Sequence, residues 1–320
     1  MGEVTFMLQL RREAVSIDRQ VEEFTRKGKP SGGEILEFAG VGDADVYNPS
    51  IPFRIDGSTY MAGRMEKRDG NRSYTMFFTE AQGVWKVDET APVFELEDPF
   101  ITWIAGEPIL GGVRVIREGD RIVSWVTDFY RGTSLHDLEL FATGPDHMKD
   151  IRLVELTDGR IGVFSRPQGE KMLSKFGCIA KIGFTIIDSL SELNAEVIDG
   201  APLLEGHFQP DEWGGCNQLY MLKNGLIGAI GHKAHRTSDE QNRERLHYYS
   251  IAFAIEPDTR KMTPVKIIAS RDCFPQGEYK SLRVADVTFT SGVVRLEEGK
   301  AMLYSGLSDC QVGRLMITDP

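Results

Sequence analysis

The chain has 320 residues, a formal net charge of −11 and a pI of about 5.2, with 41% hydrophobic and 27% charged residues. An acidic chain without a basic block is not suited to nucleic acid, and no apolar run approaches the roughly 18 residues of a membrane span. The four cysteines are scattered without a CxxC pair, which favours free thiols in a reducing compartment over a zinc site. With no apolar signal segment at the N-terminus, we expect a cytoplasmic protein with no membrane or nucleic-acid partner.

The first 33 residues differ from the rest of the chain. Residues 8–27 carry a helical pattern, with Val21 and Phe24 in its apolar stripe, and the stretch GKPSGG then interrupts it. From residue 34 onward, short apolar runs alternate with Gly, Asp-Gly or Asn-Gly turns, which is typical of an all-β protein. We therefore predict an N-terminal segment over 1–33 and an all-β domain over 34–320.

Five hairpins recur along the β region. Each begins with an Asn or Asp, here called the opening residue, and the opening residues are spaced 50, 52, 67 and 69 residues apart: Asn48, Asp98, Asp150, Asn217 and Asp286. In the first four hairpins a turn glycine follows after eight or nine residues, and a basic residue ends the second strand after fifteen or sixteen: Arg64, Arg114, Arg166 and His232. The fifth hairpin is longer and reaches Gly299 after thirteen residues.

A hairpin repeated at this spacing indicates a β-propeller, because a single hairpin is marginal alone and must pack against its neighbours. The length fits five blades. A β-sandwich whose turns recur by chance is the alternative, and the matched spacing favours the five-bladed propeller. In such a fold the start of each inner strand and the end of the next strand lie at the same face. We therefore expect the opening and closing residues to meet in one polar funnel.

The ordered motifs resemble those of known propeller enzymes. Glycoside hydrolase family 130, the β-mannoside phosphorylases, is similar in YNPSIPF…AGR, EDPFIT…AG, KDIRLVEL.DGRIGVFSRP, a blade-four strand ending in GHK, and ADVTFTSG…LYSGLSD. The combination of YNPSIPF and AGRME resembles more closely the domain of unknown function 1861, grouped with glycosyltransferase family 108. This resemblance covers about residues 35–317 and implies an inverting β-1,2-mannoside phosphorylase or mannosyltransferase. Phe100 and Ile151 stand where family 130 usually has Arg and Ala.

Phosphorolysis requires one general acid and a cationic site, because inorganic phosphate is itself the nucleophile. By resemblance, Asp98 is the catalytic acid and passes its proton through a sugar hydroxyl. Its neighbour Glu97 should point the opposite way along the strand. Guanidinium and ammonium groups suit phosphate oxygens, so we predict a phosphate site made of Arg64, Lys149, Arg166 and His232. Arg114 shares their position in blade two but ranks lower, since its surroundings are those of an exposed strand.

Five polar residues are predicted to bind sugar hydroxyls or to orient the arginines, because carboxylates and amides pair well with neighbouring hydroxyls. They are Asp45, Asn48, Asp150, Asn217 and Asp286. We expect no metal, since His147 has no second ligand at a suitable spacing and His232 and His235 lie on a strand. We also expect no cofactor besides phosphate as a co-substrate.

Two other functions stay open. A glycoside hydrolase of the same propeller class would need two carboxyl groups roughly 6.5–9.5 Å apart, and Asp45 is the second acid candidate beside Asp98. A non-catalytic propeller that binds sugar would have no need of an acid beside a basic cluster. The partners expected are a mannoside and phosphate, and a homo-oligomer stays open.

Overall fold

The computed structural model describes Leu8 and residues 13–320. Helix α1 (Ile17–Arg26) comes first, and the Ser16 side chain caps it by accepting a hydrogen bond from the Arg19 backbone N–H. The helix predicted over 8–27 therefore begins only at Ile17, because the backbone at Ser16 is extended; residues 9–12 lie outside the described residues. Phe24 is buried in a core that blades three to five share.

The rest of the chain forms five mainly antiparallel sheets, which are the blades. Blade one contains β2 (Glu37–Ala39), β3 (Ala44–Tyr47), β4 (Phe53–Ile55), β5 (Ser58–Lys67), β6 (Ser73–Ala81) and β7 (Val84–Val87). Blade two contains β8 (Glu97–Ile104), β9 (Glu107–Glu118), β10 (Arg121–Arg131) and β11 (Glu139–Thr143). Blade three contains β12 (Arg152–Glu155), β13 (Ile161–Ser165) and β14 (Gly183–Ile187).

The last two blades complete the ring. Blade four contains β15 (Trp213–Met221), β16 (Ile227–Ser238), β17 (Glu244–Ile255) and β18 (Lys266–Ala269). Blade five contains β19 (Thr288–Arg295), β20 (Lys300–Leu307), β21 (Gln311–Thr318) and, from the other end of the chain, β1 (Glu34–Ile35). Because β1 pairs with β21, the start of the β region closes the last blade. The predicted all-β, five-bladed propeller is confirmed.

Short helices lie in the connections between strands: α2 (Glu170–Phe176), α3 (Ala195–Asp199) and the 3₁₀ turns Leu135–Asp137, Leu190–Glu192, Arg271–Cys273 and Leu282–Val284. Within the described residues, no helix has the length and apolar character needed to cross a membrane.

Three inner strands are irregular near the cavity face. The pairing register shifts between Glu97 and Phe100 in β8, between Cys216 and Gln218 in β15, and between Thr290 and Gly292 in β19. A bulge of this kind breaks the alternation of side chains and re-aims the residues beside it. In β8 the bulge accompanies the turn of Asp98 toward the cavity, whereas Asn217 in the β15 bulge lies outside the cavity lining.

Candidate active site

A cavity of about 240 Å³ opens at one face of the propeller. Seven of the ten predicted site residues line it: Asn48, Arg64, Asp98, Lys149, Asp150, Arg166 and His232. They come from blades one to four, so the structure brings together side chains that are up to 184 residues apart in the chain.

Three opening residues share an uncommon backbone conformation. Asn48, Asp98 and Asp150 have φ angles of 43°, 50° and 59°, in the left-handed region. Asn and Asp tolerate this region better than other residues with a Cβ. The type of residue at these positions is therefore explained by the local backbone, which directs three polar side chains from three blades toward one cavity.

Asp98 is buried, and its two carboxylate oxygens have different surroundings. Asn48 Nδ2 donates to Oδ1 at 2.8 Å, and Arg64 Nη1 donates to the same oxygen at 3.1 Å. Among the described residues no donor reaches Oδ2. One oxygen is thus fixed by the protein, and the other can exchange a proton with a group in the cavity.

The Arg64 guanidinium is largely occupied by protein groups. Besides Asp98, it donates to Ser73 Oγ at 3.0 Å and to Glu66 Oε2 at 2.8 Å, and Glu97 Oε1 lies 3.1 Å from Nη2. Three of its five N–H groups donate hydrogen bonds, Glu97 is an ion-pair partner beside Nη2, and one N–H on Nη1 has no described partner. The predicted contact between Arg64 and phosphate would use this N–H, and a bidentate contact would require one of these bonds to break.

The expectation that Glu97 points away from Asp98 is wrong. Both side chains contact Arg64, because Asp98 has a positive φ and lies in the β8 bulge, so that strand alternation fails there. Burial raises the pKa of Glu97, and Arg64 offsets this only in part.

Asp150 and Arg166 form a buried ion pair, with Arg166 Nη1 3.2 Å from Asp150 Oδ2. Arg166 also donates to Gly214 O and to Gln168 Oε1, which leaves the two N–H groups on Nη2 without a described partner. Neither carboxylate oxygen of Asp150 accepts a hydrogen bond from the described residues. Burial would raise the pKa of Asp150, but Arg166 outweighs it and the net shift is downward. An ionised carboxylate with two open acceptors suits sugar hydroxyls.

His232 is fully buried and contributes no charge at neutral pH. Burial lowers the pKa of His232 to about 3. Its Nδ1 lies 2.8 Å from Asn217 Oδ1, which can only accept, so the proton is on Nδ1 and Nε2 is an acceptor. His232 therefore brings no positive charge to the free protein, and its place in the phosphate site stays a prediction. Asn217, predicted to bind substrate, lies behind the cavity and orients this histidine.

Lys149 is the cation with the fewest protein partners. No described carboxylate oxygen lies within 4.0 Å of its Nζ, although it lines the cavity with Asp98 and Asp150. The cavity lining holds five cationic side chains and three carboxyl groups: Arg64, Lys149, Arg166, Lys280, Arg283, Asp98, Asp150 and Asp309. Glu66, Glu97 and Glu244 contact three of these cations from outside the lining, so the donors that remain for an anion are chiefly Lys149 and the Nη2 group of Arg166.

Besides Asn217, two predicted residues lie outside the cavity. Asp286 precedes β19 by two residues and binds His247 Nδ1 at 2.6 Å, with 48% of its side chain exposed. Its placement among the opening residues is wrong: Asp286 stands two residues before β19, as Asp150 does before β12, but it lacks the positive φ of Asp150 and its backbone pairs with His247. Asp45 lies two residues before the cavity-lining Tyr47 and makes a bidentate ion pair with Arg68, at 2.7 and 2.9 Å. Arg114, ranked lower, likewise pairs with the buried Asp128 outside the cavity lining.

Sequence reasoning missed Asp309, the carboxyl group that blade five supplies. It lies in the turn between β20 and β21 with φ 56°, in the left-handed region like the first three opening residues. Burial raises the pKa of Asp309, although Arg64 opposes the shift. Asp309 is the last residue of the motif LYSGLSD, but it follows the second strand of the hairpin, whereas the opening residues were sought before the first strand.

The wall formed by blades four and five is mainly apolar. Its side chains are Leu246, Tyr248, Val284, Val287 and Phe289. Lys280 and Arg283 accompany this wall, each paired with a carboxylate: Glu66 at 2.6 Å and Glu244 at 2.7 Å. The cavity thus has a charged half from blades one to three and an apolar half opposite.

In the described part of the chain, no group of three or more His, Cys, Asp or Glu side chains could hold a metal ion. The candidate site is therefore built from an acid, an ion pair, a neutral imidazole and free cationic donors.

Comparison with known proteins adds the following. The family "Protein of unknown function (DUF1861)" matches residues 22–320. A mannose phosphorylase from Leishmania mexicana, MPT-4, solved in complex with phosphate ion, is 39% identical, with a TM-score of 0.87 over 94% of this chain and 92% of that chain. MPT-1, a GDP-Man-dependent mannosyltransferase from the same organism, is 37% identical, with a TM-score of 0.86 over 95% and 94%.

A more distant structure shows the same fold. The β-1,2-mannobiose phosphorylase from Listeria innocua is 14% identical, with a TM-score of 0.63 over 90% of this chain and 91% of that chain. The comparison with curated proteins gave no match.

Proposed function

Because this chain belongs to the DUF1861 family, whose model matches almost its whole length, we propose that it is an enzyme that transfers a mannosyl unit between phosphate and a sugar acceptor. The substrates proposed are a β-1,2-linked mannoside and inorganic phosphate, with mannose 1-phosphate as the product. The relatives described as a mannose phosphorylase and a mannosyltransferase support this assignment at 37–39% identity.

The observation that carries the proposal is the placement of an acid and free cationic donors in one cavity. Asp98 presents Oδ2 without a protein donor, and Lys149 and Arg166 Nη2 have no described anionic or acceptor partner. Phosphate held by these donors can attack the anomeric carbon while the bond to the leaving sugar oxygen breaks. The proton from Asp98 reaches that oxygen through a sugar hydroxyl, and the configuration inverts.

The remaining polar groups fit a bound sugar. The two open oxygens of Asp150 accept hydroxyl hydrogens, and His232 Nε2 accepts one more, from a sugar or from a protonated phosphate oxygen. No cofactor takes part in this scheme, because phosphate supplies the nucleophile.

Hydrolysis is the second candidate, since Asp309 is another carboxyl group in the same cavity. An inverting hydrolase uses one carboxyl as acid and one as base toward water. In this protein Asp309 would take the role that the sequence gave to Asp45.

The test is incubation with β-1,2-mannobiose with and without phosphate, followed by ³¹P and ¹H NMR. Formation of α-mannose 1-phosphate only when phosphate is present supports the proposal. Release of mannose at the same rate without phosphate would assign a hydrolase, and binding without turnover would assign a sugar-binding propeller. In the synthetic direction, mannose 1-phosphate and GDP-mannose are compared as donors, because the relatives include both kinds of enzyme.

A further inference from the structure

Arg152 is a buried guanidinium beneath the cavity, outside its lining. Only 5% of the residue is exposed, and no described carboxylate oxygen lies within 4.0 Å of it. Its Cζ lies 3.9 Å from the centroid of the Phe100 ring, which is one of the two positions where the sequence departs from family 130. Burying a cation without a contacting counter-ion lowers the stability of the fold, so the presence of Arg152 at this position calls for an explanation.

The hydrogen bonds of Arg152 join two blades. Nη1 donates to Ile151 O at 3.0 Å within blade three, and Nε donates to Asn217 O at 2.7 Å in blade four. Asn217 lies in the bulge between Cys216 and Gln218, where the strand has no regular partner to fix the backbone. Arg152 supplies that partner.

Asn217, whose backbone is held by Arg152, contacts a cavity residue through its side chain. Its side chain accepts from Nδ1 of His232, whose Nε2 lies 3.9 Å from Asp150 Oδ2. Arg152 is therefore connected to the His232 imidazole through the backbone carbonyl and the side-chain amide of Asn217.

Arg152 also acts through its charge. Asp150 faces Arg166, Lys149 and the neutral His232 inside the cavity and Arg152 beneath it, and the three cationic side chains favour its ionised form. In the other direction, burial lowers the pKa of Arg152, while Asp150 and Asp98 oppose the shift. The carboxylates of the cavity are thus the counter-ions of Arg152 at longer range.

We infer that Arg152 is a positioning residue for this cavity, which fixes the Nδ1-protonated form of His232 through Asn217 and keeps Asp150 ionised through its charge. The inference rests on the proposed function only in taking this cavity as the active site. Neither role requires contact with substrate.

The test uses ¹⁵N-histidine NMR of the full chain together with the pH dependence of kcat/KM for phosphorolysis. The variants are Arg152→Met and Arg152→Gln, which remove the charge, and Arg152→Lys, which keeps it without the planar fork. Arg114→Met, at an ion pair outside the cavity, is the control, and a His232→Asn variant identifies the His232 signals among the six histidines. Thermal melts establish that each variant is folded.

We expect His232 in the unaltered protein to show a protonated Nδ1 and a bare Nε2. In Arg152→Met and Arg152→Gln this tautomer should lose population, and the acidic limb of kcat/KM should move to higher pH by about one unit. Arg152→Lys should alter the tautomer but keep the acidic limb in place.

Unchanged His232 signals and an unchanged acidic limb in a folded neutral variant would overturn the inference. If neither neutral variant folds, unchanged His232 signals in Arg152→Lys would overturn it. If the protein shows no phosphorolysis, the NMR result still decides the His232 role, so that failure of the proposed function is distinguished from failure of this inference.

Discussion

At the scale of single residues, Asp98 and Asp309 differ in the groups that hold them. Asp98 Oδ1 is fixed by Asn48 and Arg64, while none of the described side chains donates a hydrogen bond to the carboxyl group of Asp309. An acid that delivers a proton in the transition state must be held in place, and Asp98 meets this condition better.

Asp98→Asn keeps the shape of the side chain and can still accept from Arg64, but it cannot donate a carboxylic proton. We expect normal folding and a loss of kcat on the order of a hundredfold or more in phosphorolysis. Asp309→Asn is the matched comparison and should lose less. If Asp98→Asn retained wild-type turnover while Asp309→Asn was inactive, the acid would be Asp309.

The site shows which residue properties a sequence reveals. Asn48, Asp98 and Asp150 could be located by spacing, because tolerance of a positive φ is a property of the residue type itself. The charge of His232 could not be predicted in the same way, since its pKa is lowered to about 3 by burial in the folded chain, where Asp150 and Phe289 from the neighbouring blades lie beside it. Glu97 was predicted to point away from Asp98 because a bulge in a strand cannot be recognised from the alternation of residue types.

At the scale of elements, helix α1 is joined to blade four by a buried charge. Lys233 is 0% exposed, and its Nζ donates to Val15 O, Gln20 Oε1 and Glu212 Oε2 at 2.7–3.0 Å. Glu212 Oε1 accepts from the Ile17 backbone N–H at 2.6 Å. The N-terminal helix is therefore part of the folded unit, although the sequence assigned it to a separate segment.

Glu212→Gln leaves the Lys233 ammonium buried without an opposite charge. Removing one partner of a buried pair typically costs about 3–5 kcal/mol, so we expect urea unfolding to show a loss of that order. The double variant Glu212→Gln with Lys233→Met removes both charges and should recover part of the loss. A change of under about 1 kcal/mol in Glu212→Gln would show that the pair does not hold the helix.

The fifth hairpin shows where repeat patterns fail between elements. Its opening residue was placed by spacing, but Asp286 lacks the positive φ of the first three opening residues and pairs with His247 outside the cavity lining. The carboxyl group of this blade comes instead from the turn after β20. Spacing along a repeat does not fix the local backbone conformation, and the Asn and Asp residues of the first three hairpins and of this turn that line the cavity share a positive φ.

At the scale of the whole molecule, two deeply buried histidines make stability depend on pH. The pKa values of His207 and His232 are both lowered to about 3, mainly by burial. Neither ring nitrogen of His207 has a described hydrogen-bond partner, and the ring packs against Phe208 and Phe253. Below pH 6.5 the unfolded chain binds protons that the folded histidines do not, so the free energy of unfolding falls as the pH falls.

His207→Phe removes one of these groups and keeps a ring of similar size. Between about pH 6 and 4.5 the slope of the free energy of unfolding against pH should be smaller in this variant than in the unaltered protein, by up to about 1.4 kcal/mol per pH unit. Urea titrations at several pH values measure this slope. An identical slope in both proteins would mean that His207 is protonated in the folded state.

The fold and the family could be read from the sequence because turn signals, spacing and ordered motifs are local or repeat along the chain. The partners in ion pairs could not be predicted from the sequence, because they depend on distances between side chains of different blades. Arg64 illustrates this, since three carboxylates and Ser73 occupy a side chain that the sequence assigned to phosphate.

The central claim is that free cations beside Asp98 hold phosphate, and Lys149 tests it most directly because no described carboxylate depends on contact with it. Lys149→Gln should fold normally and raise the KM for phosphate by on the order of tenfold or more, the usual range for a charge-assisted hydrogen bond. The KM for β-1,2-mannobiose should change less than about twofold, and Lys67→Gln, at an exposed surface pair, should change neither. Equal weakening of both substrates by Lys149→Gln, or a rate that does not depend on phosphate, would contradict the account.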